Sequence, residues 1–513
     1  MKKFVTLLLF ISSLLLTAQD ESTNLQKYWH YRYRLIHNFM VVGENPGMSL
    51  PADIRNTGNG GQIRWGEVPV YLGYYIGVLA TEYRLLKNNN QPTDQTLTEL
   101  YYAIKAALRL DRAGETYPYW NSTHAASING FFIRDDVPSD FLYYHSELNF
   151  DATPSPVYIT SGQGTPGYVN SMTSDWVSYP LSDHPKANAV SQDVMYELLM
   201  GFALVKKYVE DMPLLFIDNV ALHHPDYVFD ASLTKTVNFN QMARTEADII
   251  VSYMKYNHFD HWKLNDPDGN QVFIGSAVFT YAYAIARAGN YITGVDYTDS
   301  HEESYELLWQ GLQNPAELLC PYVGERGNAH PMALTLAAIS NAWRDHPGAN
   351  ANNTTPDQIL ANGDYNANPA SSCPYIASHI GWDVFYGALW DVFHGGPTYI
   401  SDLCKAKEIL NSAPFNGPYY HTTTDNASPG WCATRRFYDG VIGNDQRADV
   451  GKEDFNGNFN GLDYMLLFNL YYLDAKEREL ASANAATFYI PQNGFADQYP
   501  WTHIDLYPPY NSF

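Results

Sequence analysis

Residues 67–87 read EVPVYLGYYIGVLATEYRLLK, and their apolar spacing is that of an α-helix. Pro69 falls in the first turn, where its missing N–H costs nothing because that donor has no partner inside the helix. NNNQPT (88–93) interrupts the pattern, and Thr93 stands where an N-cap belongs. The next helix is expected over 94–113, with Leu97, Leu100, Tyr101, Ile104 and Leu108 in register. Upstream, STNLQKYWHYRYRLIHNFMVV (22–42) brings Leu25, Trp29, Tyr33 and Ile36 near one face. Downstream, SQDVMYELLMGFALVKKYV (191–209) repeats the spacing at Val194, Leu198, Phe202, Val205 and Val209. Further helices are expected near 238–257, 275–288, 300–313, 331–345, 379–394, 401–411 and 461–475. The expected fold class is therefore all-α. Strand patterns are few: FIRDD (132–136) and VFIG (272–275) suit short hairpins, and DPDGN (266–270) has the composition of a turn.

The widest gap in this helical rhythm is residues 114–189, which begins GETYPYWNSTHAASINGFFIRDDVPSDFLYYHSEL. A connection that long inside a compact protein is functional or disordered. Disordered segments are poor in aromatics, whereas this one holds thirteen, with eight acidic residues against two basic ones. Aromatic rings stack on the apolar faces of sugars, and carboxylates do acid–base work on glycosidic bonds.

Composition narrows the partners. The 513-residue chain has a formal net charge of −24. Nucleic acid and anionic membranes both need basic patches, so both are excluded as expected partners. The same balance disfavours a polyanionic polysaccharide, although an acidic surface also serves solubility alone. Residues 1–18, MKKFVTLLLFISSLLLTA, read as a secretory signal peptide with cleavage expected after Ala18. The mature chain, 19–513, is then expected outside the cytoplasm, periplasmic or secreted, with no membrane span. Cys320, Cys373, Cys404 and Cys432 make an even count without a CxxC pair, which in an exported chain points to disulfides. No Pro/Ser/Gly linker or charge block divides 19–513, so a single domain is expected, with 114–189 as its long insertion loop.

Helix pairs joined by alternating short and long connections, together with RWGEVPVYLGYYIGVLATEYRLL (64–86), resemble the α/α-toroid or six-hairpin superfamily of glycosidases and polysaccharide lyases. The resemblance covers nearly the whole mature chain and rests on layout. It implies an (α/α) toroid of about five to six helical hairpins whose long loops form a cleft at one end. It also implies that Gly73, Gly77 and Ala80 lie on an inner helix and permit close packing. SQDVMYELLMGFALVKKYV and FNGLDYMLLFNLYYL are further similar to secreted proteins of the Bacteroidetes type.

Several residues then become candidates, each with a plainer alternative. Asp135 and Asp136 in FFIRDDVP are candidate catalytic carboxylates, one of them raised by Phe131 and Phe132, or a turn-forming pair before Pro138. Glu67 and Asp193 stand at helix mouths, which the toroid would turn toward the cleft; a first-turn carboxylate also simply suits the helix dipole. Trp65, Trp120 and Trp382 are candidate sugar platforms, with Asp383 a hydroxyl acceptor beside Trp382. His124 in NSTHAAS is a candidate base or charge neutraliser, or a polar loop residue. Arg326 in GERGNAH would hold a substrate carboxylate, or pair structurally with Glu325 or another acid, and with His330, Asn121 and His124 it could serve a lyase. EDFNGNFNGLD (453–463) lacks the EF-hand spacing and its terminal Glu, so it reads as Asn-Gly turns and a helix cap and no metal is expected. HExxH, P-loop, dinucleotide and GxSxG signatures are missing, so no cofactor is expected either. The expected activity is glycoside hydrolysis by two carboxylates on a neutral or weakly charged oligo- or polysaccharide. The alternatives are a polysaccharide lyase or unsaturated-uronide hydrolase, and a non-catalytic glycan-binding or envelope protein.

Overall fold

A computed structural model describes residues 23–52, 54–56, 62–65, 68–117, 120–138, 141–145, 148, 169–171, 190, 192–218, 234–256, 262, 264–270, 278–297, 384–394, 400–415, 417–419, 431–434, 441–442 and 459–475. The signal peptide, the helices expected over 300–313 and 331–345, and VFIG lie outside them.

Helix α1 covers 23–34 and runs on into a π-helical turn, Leu35–Phe39. It is followed by β1 (Ile54–Asn56), β2 (Gln62–Trp65), α2 (Val68–Asn88), α3 (Asp94–Gly114), the single turn α4 (Phe141–Tyr144) and β3 (Val169–Ser171). Then come α5 (Gln192–Tyr208), β4 (Leu214–Ile217), β5 (Thr234–Val237), α6 (Phe239–Tyr256) and α7 (Val278–Thr293). The described chain ends with α8 (Val384–His394), α9 (Ile400–Ser412), β6 (Trp431–Cys432), β7 (Val441–Ile442) and α10 (Leu462–Leu470). The fold is mostly helical, at 61% of the interpretable residues, so helix packing and not sheet pairing sets the architecture. The strands form three small sheets: β1-β2-β3, the antiparallel hairpin β4-β5, and the two-residue pair β6-β7. FIRDD contributes only a single bridge position, Ile133.

Two layers of helix follow from the residue patterns. Helix α2 is buried on every side, all but Arg84, Lys87 and Asn88, as expected of a helix apolar all round. All of α10 is likewise buried. Helices α3 and α6 are amphipathic and keep an exposed face. The inner helices run in one direction. Gly73 of α2 meets Glu197 and Leu198 of α5, and Gly77, one turn on, meets Leu204. Gly77 also meets Leu466 of α10, while Asn469, further along α10, donates to Val78 O and Thr81 Oγ1. The C-terminal turns of α5 and α7 meet where Lys206 donates to Tyr291 O. Helix α8 sets Phe385 against Tyr74 at the start of α2 and Phe393 against Tyr291 at the end of α7, so it runs the same way. The outer helices run opposite. α1 pairs with α10 through Tyr28–Phe468 and Tyr31–Tyr464, and α6 packs Val251 against Gly289 of α7 but starts where α5 and α7 end, with Asn240 Nδ2 donating to Val209 O.

This polarity puts the described long connections at one end, beyond the starts of α2, α5 and α10 and the ends of α1, α3 and α6. They touch one another in series: Asn460 Nδ2 donates to Ala52 O, Gly47 N to Asp136, and Asn121 N to Asp268. The opposite end has the short 89–93 turn and the β4-β5 hairpin, which binds the start of α3 through Ile217 N to Asp94 and Thr98 Oγ1 to Ile217 O. Thr93 sits at the N-cap of α3 as expected, but its side chain makes no capping bond. Between α1, α2 and α3 the core holds a buried polar knot. Arg32 pairs with Glu82 at 2.7 Å and Glu99 at 2.9 Å, and Tyr28, Tyr75 and Thr96 donate to the same two carboxyls. Among the described residues no helix is long and apolar enough to cross a membrane.

Candidate functional site

The loop end is built on the last turns of α3. Asp111 accepts hydrogen bonds from the backbone N–H groups of Asn129 (3.0 Å) and Gly130 (2.9 Å). Gly130 has φ +97°, and a Cβ there would fall 2.5 Å from Ile249 O on α6, so only glycine permits this approach. The chain then runs as a strap over the end of α3. Ile133 N bonds Leu110 O, and Val190 N bonds Phe132 O. Asp135 turns back to accept from Val137 N at 3.0 Å and is fully buried. Asp136 is gripped by Arg109 through Nε and Nη2 and by Gly47 N at 2.9 Å. Arg109 also donates to Glu44 O and Met48 O, so one guanidinium ties the strap to the 43–50 loop. The Asp–Asp pair thus lies at the loop end, with its first member turned inward and its second held by a cation.

The expected tryptophan platforms Trp65 and Trp120 are packed inward. Trp65 has no exposed area, donates Nε1 to Leu50 O and meets Phe141 edge-on. Trp120 donates Nε1 to Gly114 O at 2.7 Å and packs between Tyr117 and Phe131. His124 is more open, with about a quarter of its side chain exposed (24%). Its Nε2 lies 2.9 Å from Asp268 Oδ1 in the DPDGN turn. That turn forms as expected: Gly269 N bonds Asp266 O with Gly269 at φ +82°. Asp268 also accepts from Asn121 N and Ser122 N. Partial burial pushes its carboxyl up, but the bonds from His124, Asn121 and Ser122 outweigh this and hold it below the usual carboxylate range. The result is a histidine braced by an anionic carboxylate, with its second ring nitrogen not used in that bond.

Asp193 lies in the first turn of α5, and its side chain is outside the described set. Glu67, Arg326, His330, Trp382 and Asp383 lie outside the described residues altogether. Cys432 is buried in β6, and the side chains of Cys320, Cys373 and Cys404 are not described. Asp463, from the segment weighed for calcium, is buried and accepts from Ala433 N and Thr434 N at the start of α10. Among the described residues no group of three or more His, Cys, Asp or Glu side chains is placed to hold a metal ion.

Sequence reasoning missed Asp268, Arg109, Asp111 and Glu246. Glu246 carried a readable signal: it falls in the apolar register Phe239, Ala243, Ile250, Met254 of α6, where a carboxylate needs a reason. No family model, curated protein or solved structure matches the chain.

Proposed function

We propose that the chain is an exported enzyme that cleaves glycosidic bonds by acid–base chemistry at the loop end of an α/α toroid. The observation that carries the reading is the His124–Asp268 pair, a partly open imidazole braced by a carboxylate that three hydrogen bonds keep ionised. Such a pair can pass a proton through the imidazole, because the carboxylate orients the ring and stabilises the imidazolium that forms. The parallel inner helices α2, α5, α7, α8 and α10 support the toroid.

In the hydrolytic reading His124 delivers the proton to the leaving oxygen, and a carboxylate, Asp136, Glu67 or Asp193, faces the anomeric carbon or activates water, while Asp135, buried and turned inward, only supports the strap. The net charge of −24 favours a neutral or weakly charged glycan for this chemistry. The second reading is elimination by a polysaccharide lyase. It draws on the same pair, because a lyase needs a base at the sugar ring and His124 is one. A polysaccharide panel scored for both reducing ends and the absorbance of unsaturated uronates separates them. Reducing ends alone are expected from a hydrolase, and both signals from a lyase. Neither signal on any glycan overturns the reading and leaves a binding protein.

A further inference from the structure

Beneath the Asn129–Gly130 turn lies a cluster that the proposed chemistry does not use. Asp111 on α3 holds the turn through two backbone N–H groups, and Glu115, one helical turn on, accepts from Asn129 Nδ2 at 2.6 Å. From the other side α6 presents Glu246, which has no exposed area and whose two carboxyl oxygens meet no hydrogen-bond donor. The charges that raise the two groups are carboxyls: Glu115 acts on Asp111, and Asp111 acts on Glu246. The strap meets this cluster through the backbone amides of Asn129 and Gly130, and Arg109, two residues earlier on α3, is committed to Asp136.

We propose that Glu246 is a proton-loaded latch: while it is neutral the strap 129–137 stays docked on α3 and α6, and when it ionises beside Asp111 the strap lifts. The idea rests on the proposed function only for its consequence, since the strap carries Asp135 and Asp136 to the loop end. A neutral carboxylic acid tolerates an apolar wall without a partner far better than a carboxylate does. A second anion would oppose Asp111 directly across the turn. The least costly response is for the segment without helical hydrogen bonds, the strap, to move and admit water. Close packing of Gly130 on Ile249 and Ile250 makes that docking all-or-none at the turn, because no side chain can slide into the gap. Burial, and the Asp111 charge after it, hold the Glu246 proton well above the usual carboxylate range, and burial pushes Asp111 up to about 7. The lift therefore belongs at a pH well above the one at which an ordinary carboxylate ionises.

Hydrogen exchange of the 129–137 amides in the full-length chain, corrected for the intrinsic pH dependence of exchange, tests this. In the parent, the opening equilibrium should rise as pH goes from 6 to 9, by up to about tenfold per pH unit while one proton is released. Glu246→Gln should flatten that rise, and Glu246→Met, which needs no polar partner, should flatten it also if the Gln variant folds poorly. An equal rise in parent and Met variant, or no rise in the parent, overturns the latch. Because exchange needs no substrate, a flat glycan screen with a pH-dependent strap would sink the enzyme reading and leave the latch standing.

Discussion

Asp111 and Asp268 both collect pairs of backbone N–H groups from a loop, yet they titrate in opposite directions. Burial raises both, but at Asp268 a third donor, His124, adds to the two amides and together they hold it down; Asp111 sits in the apolar seam of α3 beside Glu115, so burial drives it up. His124→Ala should leave Tm nearly unchanged, because the ring is partly exposed, and reduce turnover about 10²–10⁴-fold on the glycan the screen identifies. A variant with full turnover removes His124 from the chemistry. Arg32 is the contrasting case. It pairs with two buried carboxyls at once, and Arg32→Met leaves Glu82 and Glu99 facing each other without it. Breaking a buried pair from one side costs about 3–5 kcal/mol, so denaturant titration should show a loss of that size. A loss below about 1 kcal/mol, the scale of a surface pair, would mean that the knot is neutral in the fold. His124 was visible in the sequence as a polar residue in an aromatic loop. Its partner was not, because Asp268 lies 144 positions away and nothing local links them.

Helix boundaries were the most legible layer. The spacing over 67–87, 94–113, 191–209 and 238–257 anticipates α2, α3, α5 and α6 to within a residue or so at each end, since a period near 3.6 is written locally. The β4-β5 hairpin was not anticipated. Its strands are four residues each, and sixteen residues separate Ile217 from Thr234, so neither the alternation nor a tight turn marks them. At the α2–α5 crossing, Gly73 and Gly201 pack backbone to backbone: a Cβ on Gly73 would fall 2.3 Å from Glu197 O, and one on Gly201 would fall 2.4 Å from Gly73 O. In an open helix, Gly→Ala stabilises by up to about 1 kcal/mol. Here the sign should reverse, because two buried helices must separate to admit one methyl group and overpacking costs about 1–3 kcal/mol. Gly73→Ala should therefore lower Tm, and a raised Tm would show that the two helices are not in this contact.

At the scale of the whole molecule, ionisation couples distant parts through stability. Two buried groups have opposing effects across the same pH range. His30 on α1 is almost fully buried, and burial, then the Arg34 charge, lowers it to about 3. From pH 6.5 down to about 3 the unfolded chain binds a proton at His30 that the folded chain does not, so this residue makes stability fall as pH falls. Asp111 is raised to about 7, chiefly by burial. From about pH 4 to pH 7 the folded chain keeps a proton that the unfolded chain has lost, so this residue makes stability fall as pH rises. Each contributes a slope of roughly 1.4 kcal/mol per pH unit, of opposite sign, and between pH 4 and 6.5 they nearly cancel. Other groups add their own slopes, so difference curves isolate the pair. Parent minus His30→Leu should rise with pH between 4 and 6.5, and parent minus Asp111→Asn should fall over that window and on to about 7. If the two curves have the same sign, one of these side chains does not occupy the buried position described. That outcome would undo the packing of α1 against α2, or the seating of the strap on α3.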